Sequence, residues 1–227
     1  VSFYVKYSAN WTGQNSYGPH EFLIMTTENG SYDGPAFTHL TAYIEHEARN
    51  NEGKPLLAIQ DGQNIDQARI NQDLINITEN RAVAGCNGTL NDGYTAIGCY
   101  LPGGNNYWNV KQWMTGQAYF QNTPGQYYKN DWHRVEAYFK LNSIANGRGV
   151  ADGIVRMWFD GGLIIESTNV ILRTGQYPNM KFNQFILAPF MGNGSPVDQT
   201  IWVDDLIVDT SRPGGDTIPP SAPSGLR

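Results

Sequence analysis

Alternating strand-length runs between Trp132 and Ser167, the last two of them joined by an Asp-Gly turn, constrain the fold of this chain more than any other feature. In WHRVEAYFKLN, alternate residues place Trp132, Arg134, Glu136, Tyr138 and Lys140 on one side. The other side carries His133, Val135, Ala137, Phe139 and Leu141. GIVRMWF repeats the pattern, with Ile154, Arg156 and Trp158 opposite Val155, Met157 and Phe159. A period of two is the mark of a strand with one face in a core. FDGG, between two such runs, is a hairpin signal. The outward side is unusual for a plain solvated surface, because aromatic planes stand among charges of both signs.

The same alternation and turn chemistry predict strands over residues 2–8, 20–27, 39–47, 55–60, 118–120, 132–141, 153–160, 163–167, 181–190 and 200–208. Residues 64–82 have the mixed spacing of a short helix. Only 16% of the 227 residues are charged while 12% are aromatic, and Gly, Asn, Thr and Tyr are abundant. That composition suits strands and turns. About ten strands read as an all-β, two-sheet antiparallel sandwich occupying residues 1–209. Residues 71–113 are too long for a passive connection and read as a functional or disulfide-pinned loop.

The formal charge of −6, without a basic cluster, argues against nucleic acid and anionic membrane as partners. No apolar run is long enough to span a bilayer. The chain opens directly in SFYVKYSAN, which reads as a mature or trimmed product. Cys86 and Cys99 sit in a Gly/Asn-rich stretch where they could close a small disulfide ring or stay as buried thiols. A disulfide would fit a secreted or cell-surface setting. Residues 210–227, TSRPGGDTIPPSAPSGLR, form a Pro/Gly/Ser linker toward a following module.

WHRVEAYFKLN, ADGIVRMWFDGGLIIES and IWVDDLIVD, taken together, resemble the concanavalin A-like lectin/glucanase superfamily. Within it they are most similar to polysaccharide lyase family 14 and related lyase-like domains. The end of the linker, DTIPPSAPSGLR, resembles the start of a fibronectin type III repeat, as found between modules of bacterial secreted proteins. The resemblance implies a jelly-roll sandwich whose concave sheet binds a polysaccharide. It also implies β-elimination on a uronate polymer: a cation neutralises the carboxylate, a base removes a proton and an acid protonates the departing oxygen. Lys140 and Arg156 match the Lys and Arg of that set. The tyrosines that family enzymes carry on the next strand are missing from LIIESTNVILR.

From the residues themselves, Tyr138 and Trp158 offer planes for sugar C–H faces, while Lys140 and Arg156 offer hydrogen bonds and charge. Glu136 and Arg134 either join that site or pair across strands on a back face. In THLTAYIEHE, His39 and Tyr43 share a face and could act as a base and acid pair. They would complete an elimination site if their strand neighboured the Trp132 strand. Glu45 and Glu47 in YIEHEARN lack the central Asp of a glucanase strand, which disfavours hydrolysis. Asp61, Asn64 and Asp66, or Asp204 and Asp205 with Asp209, are oxygen-rich enough to suggest one structural calcium. Three functions follow: an extracellular polysaccharide-binding module, a uronate lyase, or a structural and adhesive module with a capacity for self-association.

Overall fold

The computed structural model describes residues 1–13, 20–27, 39–46, 53–61, 89–90, 94–95, 112–191 and 194–212. The strands are β1 (Ser2–Tyr7), β2 (His20–Thr27), β3 (His39–Glu45), β4 (Leu56–Asp61), β5 (Thr89–Leu90), β6 (Tyr94–Thr95) and β7 (Gln112–Met114). They continue as β8 (His133–Lys140), β9 (Ile144–Ala145), β10 (Arg148–Gly149), β11 (Gly153–Phe159), β12 (Gly162–Val170), β13 (Lys181–Phe190) and β14 (Ile201–Ile207). One sheet has the order β12-β11-β8-β1-β14 and the other β13-β2-β3-β4-β7, every neighbour antiparallel. The two pack face to face as an all-β jelly-roll sandwich.

The period of two explains the core directly. Phe3, Val5 and Tyr7 of β1, Val135, Ala137 and Phe139 of β8, and Val155, Met157 and Phe159 of β11 all point inward. They meet Phe22, Leu40, Ala42, Ile44, Leu57 and Ile59 of the second sheet. The Phe3 and Phe22 rings stack across the interface at 4.1 Å. The hairpin expected at FDGG forms with Asp160 (φ 47°) and Gly161 (φ 82°) both left-handed, as a two-residue turn matching strand twist requires.

One expected strand does not form. Residues 118–120 form no strand, because the N–H groups of Tyr119 and Phe120 both donate to the Gly53 carbonyl, which lies in no ladder. Gly53 (φ 61°) allows this approach, since a Cβ there would stand 2.1 Å from the Phe120 oxygen. The seventh strand instead occupies Gln112–Met114, paired with β4. Near the chain's end, β14 bulges: Ser2 faces Ile207 and Tyr4 faces Asp204, with Asp205 left-handed at φ 49°. The helix expected over residues 64–82, and Cys86 and Cys99, lie outside the described residues.

A hydrogen-bonded polar group sits inside the sandwich. Tyr7 of β1 donates its hydroxyl to Glu21 Oε1 (2.8 Å) on β2 and lies 2.7 Å from His46 Nδ1, just after β3. Glu21 Oε2 accepts the His46 backbone N–H at 3.0 Å and lies 2.9 Å from Nδ1. Nδ1 thus faces two oxygens, the Tyr7 hydroxyl and the Glu21 carboxylate. Nε2, without a hydrogen-bond partner among the described residues, is left among the rings of Phe3, Phe22 and Phe120. All three polar side chains are buried. Replacing Tyr7 by Phe strips one hydroxyl that serves two buried groups, so Tyr7→Phe should lower stability by about 1–3 kcal/mol. Urea unfolding of the two proteins checks this, and an unchanged midpoint would refute the role assigned to the hydroxyl.

Candidate functional site

The outward face of the first sheet gathers most of the singled-out residues, in rows set by register. Ile154 lies beside Lys140. Arg156 lies between Glu166 of β12 and Tyr138 of β8. Trp158 lies beside Glu136, which faces Ser2, and Arg134 lies beside Tyr4, which faces Asp204. Lys6 faces Trp202 at the β14 edge, its Nζ 5.7 Å from the ring centroid. The two faces of β8 and β11 are those the alternation predicts.

This face divides into a closed half and an open half. Glu136 accepts Arg134 Nη1 on Oε1 at 3.0 Å. It also receives a two-pronged contact from Arg212, Nε to Oε2 at 3.0 Å and Nη2 to Oε1 at 3.1 Å. The Arg212 guanidinium lies 4.3 Å from the Trp158 ring centroid. Arg134 and Glu136 are buried beneath it. Next to this satisfied cluster, Arg156 donates Nε to Glu166 Oε1 at 2.7 Å and keeps 34% of its side chain exposed. Among the described residues, its terminal nitrogens, the Tyr138 hydroxyl and the Lys140 ammonium have no protein hydrogen-bond partner. Lys140 is exposed and Tyr138 half-buried.

The other residues of the same motifs build the support. Asn142, following Lys140 and Leu141, is buried and uses both ends of its amide. Its Oδ1 accepts the N–H groups of Leu172 (2.8 Å) and Arg173 (2.9 Å), and its Nδ2 donates to the Arg173 carbonyl (3.0 Å). Asp152 accepts the Ser143 N–H and hydroxyl, each at 2.7 Å. Gly153 passes so close to β12 that a Cβ would stand 2.4 Å from the Val170 oxygen. These contacts clamp the end of β8 to β11 and to the chain after β12, and so fix where Lys140 stands relative to Arg156.

The remaining sequence candidates lie elsewhere. His39 and Tyr43 belong to β3, in the middle of the second sheet between β2 and β4. The neighbouring of their strand and β8, needed for a joint elimination site, does not occur. Tyr43 is buried with Ala58 and Ile186. The Asp204 carboxylate accepts the Asp205 N–H at 2.9 Å. Among the described residues no three His, Cys, Asp or Glu side chains gather in one place. Asn64 and Asp66 lie outside the described residues. Reading the sequence missed Glu166, Arg212 and the buried trio of Tyr7, Glu21 and His46.

The Ser143 hydroxyl, and then its N–H, hold the Asp152 carboxyl below the usual carboxylate range. A depressed carboxyl contributes stability that is present above the ordinary carboxylate pKa. That contribution is lost as pH falls through the lowered value. Asp152→Asn should therefore unfold at a lower temperature than the parent near neutral pH. The gap should close on acidification through the carboxylate range, and a gap of constant size across that range would contradict the clamp.

The family model described as polysaccharide lyase matches residues 9–206. Among solved structures, the alginate lyase Aly36B is 14% identical with a TM-score of 0.47, covering 89% of this chain and 65% of that one. The alginate lyase vAL-1 from Chlorella virus is 15% identical with a TM-score of 0.48, covering 89% and 67%. This chain thus spans about two thirds of the length of those lyases. No curated protein sequence matches it. With the family model matched over most of its length, the chain belongs to the polysaccharide lyase family.

Proposed function

We propose that this chain cleaves a uronate-containing polysaccharide by β-elimination on the open half of the first sheet's outward face. The observation that carries the reading is the set of open polar ends there. Arg156, Tyr138 and Lys140 stand on adjoining positions of β8 and β11, their terminal polar atoms uncommitted among the described residues, beside a cluster that is internally satisfied. The family membership and the extent of its match support it. So does the gathering of Lys6, Arg134, Lys140, Arg156 and Arg212 on one face of a chain whose formal charge is −6.

The chemistry follows from the side chains. The free edge of the Arg156 guanidinium can take a carboxylate through two parallel hydrogen bonds. Neutralising that carboxylate makes the adjacent ring proton easier to remove. The Tyr138 oxygen, directly across from Arg156, takes the proton as the base when the side chain is in its phenolate form, and becomes the neutral phenol. The electron pair of the broken C–H bond forms the ring double bond while the glycosidic C–O bond breaks. Lys140, one row further, gives a proton to the departing oxygen. Glu166 shares the Arg156 guanidinium and holds it in place. The strand that carries this glutamate, LIIESTNVILR, has no tyrosine, which favours a second reading in which the face binds the polymer without cleaving it. A polymer of this kind is met outside the cell, which supports a secreted or cell-surface location. No helix among the described residues is long and apolar enough to cross a membrane.

The test is ultraviolet absorbance of the unsaturated uronate during incubation with alginate, glucuronan, heparin-type and ulvan polymers. A rise is expected with at least one polymer. It should fall by about a hundredfold or more in Lys140→Ala and in Arg156→Ala. No rise with any polymer would remove the lyase, and polymer binding retained under those conditions would leave the binding module.

A further inference from the structure

Resting on the reading of this face as a uronate site, we propose that Arg212 makes the face selective for acidic over neutral chains. It does so by occupying the Trp158 ring until a carboxylate draws it from Glu136. Trp158 is the aromatic plane next to Arg156 on β11, and the Arg212 guanidinium stacks on it at 4.3 Å. That is the space a pyranose C–H face would need.

The strap that delivers Arg212 is local and built. After β14 ends at Ile207, Asp209 Oδ1 accepts the N–H groups of Thr210 (2.6 Å) and Ser211 (3.1 Å), which turns the chain back across the sheet. The N–H of Ser211, then that of Thr210, holds the Asp209 carboxyl below the usual carboxylate range, as an ionised turn-former should be. Arg212 then grips Glu136 with two nitrogens while a quarter of its side chain remains exposed.

Glu136 has a second partner in Arg134, so it does not lose all compensation when Arg212 leaves. What decides the exchange is the fate of Arg212. A neutral sugar pushing onto Trp158 strips the guanidinium of a charge-assisted pair and returns nothing of equal strength. A uronate carboxylate replaces Glu136 with the same two-pronged geometry.

The experiment compares polymannuronate with mannan, whose sugars differ in bearing a carboxylate or a hydroxymethyl group. Affinities are measured by titration calorimetry for the parent, Arg212→Ala, Arg212→Lys and Asp209→Ala. Mannan should bind Arg212→Ala about tenfold more tightly than the parent while polymannuronate gains less, narrowing the preference. Arg212→Lys, which keeps the charge but loses the plane and the fork, should fall between. Asp209→Ala, which loosens the turn without touching the sheet, should move in the same direction as Arg212→Ala. An unchanged preference in Arg212→Ala and Asp209→Ala, with polymannuronate still bound, overturns the selectivity and leaves the site standing. An equal loss of both polymers overturns it too, because that marks a purely structural arginine. If no form binds either polymer, the site reading falls and the selectivity falls with it.

Discussion

The hydrogen-bonded trio of Tyr7, Glu21 and His46 is the constraint on which the sandwich depends. Apolar packing between the sheets is large but non-directional, and would tolerate small slides of one layer over the other. A buried carboxylate bonded to a phenol from one sheet and to the backbone and ring of a histidine from the other would not. The trio is anchored on β1, which lies between β8 and β14. The strand that is locked on its inward side therefore also sets the outward rows of Ser2 and Tyr4, against which Glu136 and Arg134 are aligned. The position of the surface site is inherited from the core.

Outside, the same face handles charge in two ways. Around Glu136, two arginines and an aromatic ring close over a carboxylate and leave little for a ligand. Around Arg156, the only protein partner among the described residues is the partly exposed Glu166, and the neighbouring phenol and ammonium have none there. Motif residues divide accordingly. Asn142, Asp152 and Gly153 hold strands together, while Lys140, Arg156 and Tyr138 are presented. A short run such as KLN followed by DG is thus mostly a statement about architecture, with one side chain in it available for chemistry.

The faces of β8 and β11 were legible because one side had to meet a core, and so was the FDGG turn, whose two left-handed residues favour Asp and Gly. Counting pairs back from that turn, however, would put Ile165 opposite Arg156. A register shift between Met157 and Trp158 brings Glu166 there instead. Alternation gives no warning of such a shift. Nor does it say to which sheet a strand belongs, which is why His39 and Tyr43 looked available to Lys140 and lie in the other layer. Arg212 was hidden for a different reason: a Pro/Gly/Ser tract reads as linker until a turn sends one of its side chains back to the sheet. Tyr7, Glu21 and His46 are polar residues whose value comes only from meeting one another across three strands.

The bulge at Asp205 has its own consequence at the rim of the molecule. β14 is the last strand of its sheet among the described residues, and it exposes Leu206 and Ile207, with Val208 just beyond. A flat edge with such side chains would serve as a template for a second copy, and concentrated protein would grow by strand addition. A left-handed residue in mid-strand spoils the even spacing of donors and acceptors that an incoming strand must match. The irregularity thus makes this oily rim a poorer template for an added strand than a flat edge would be.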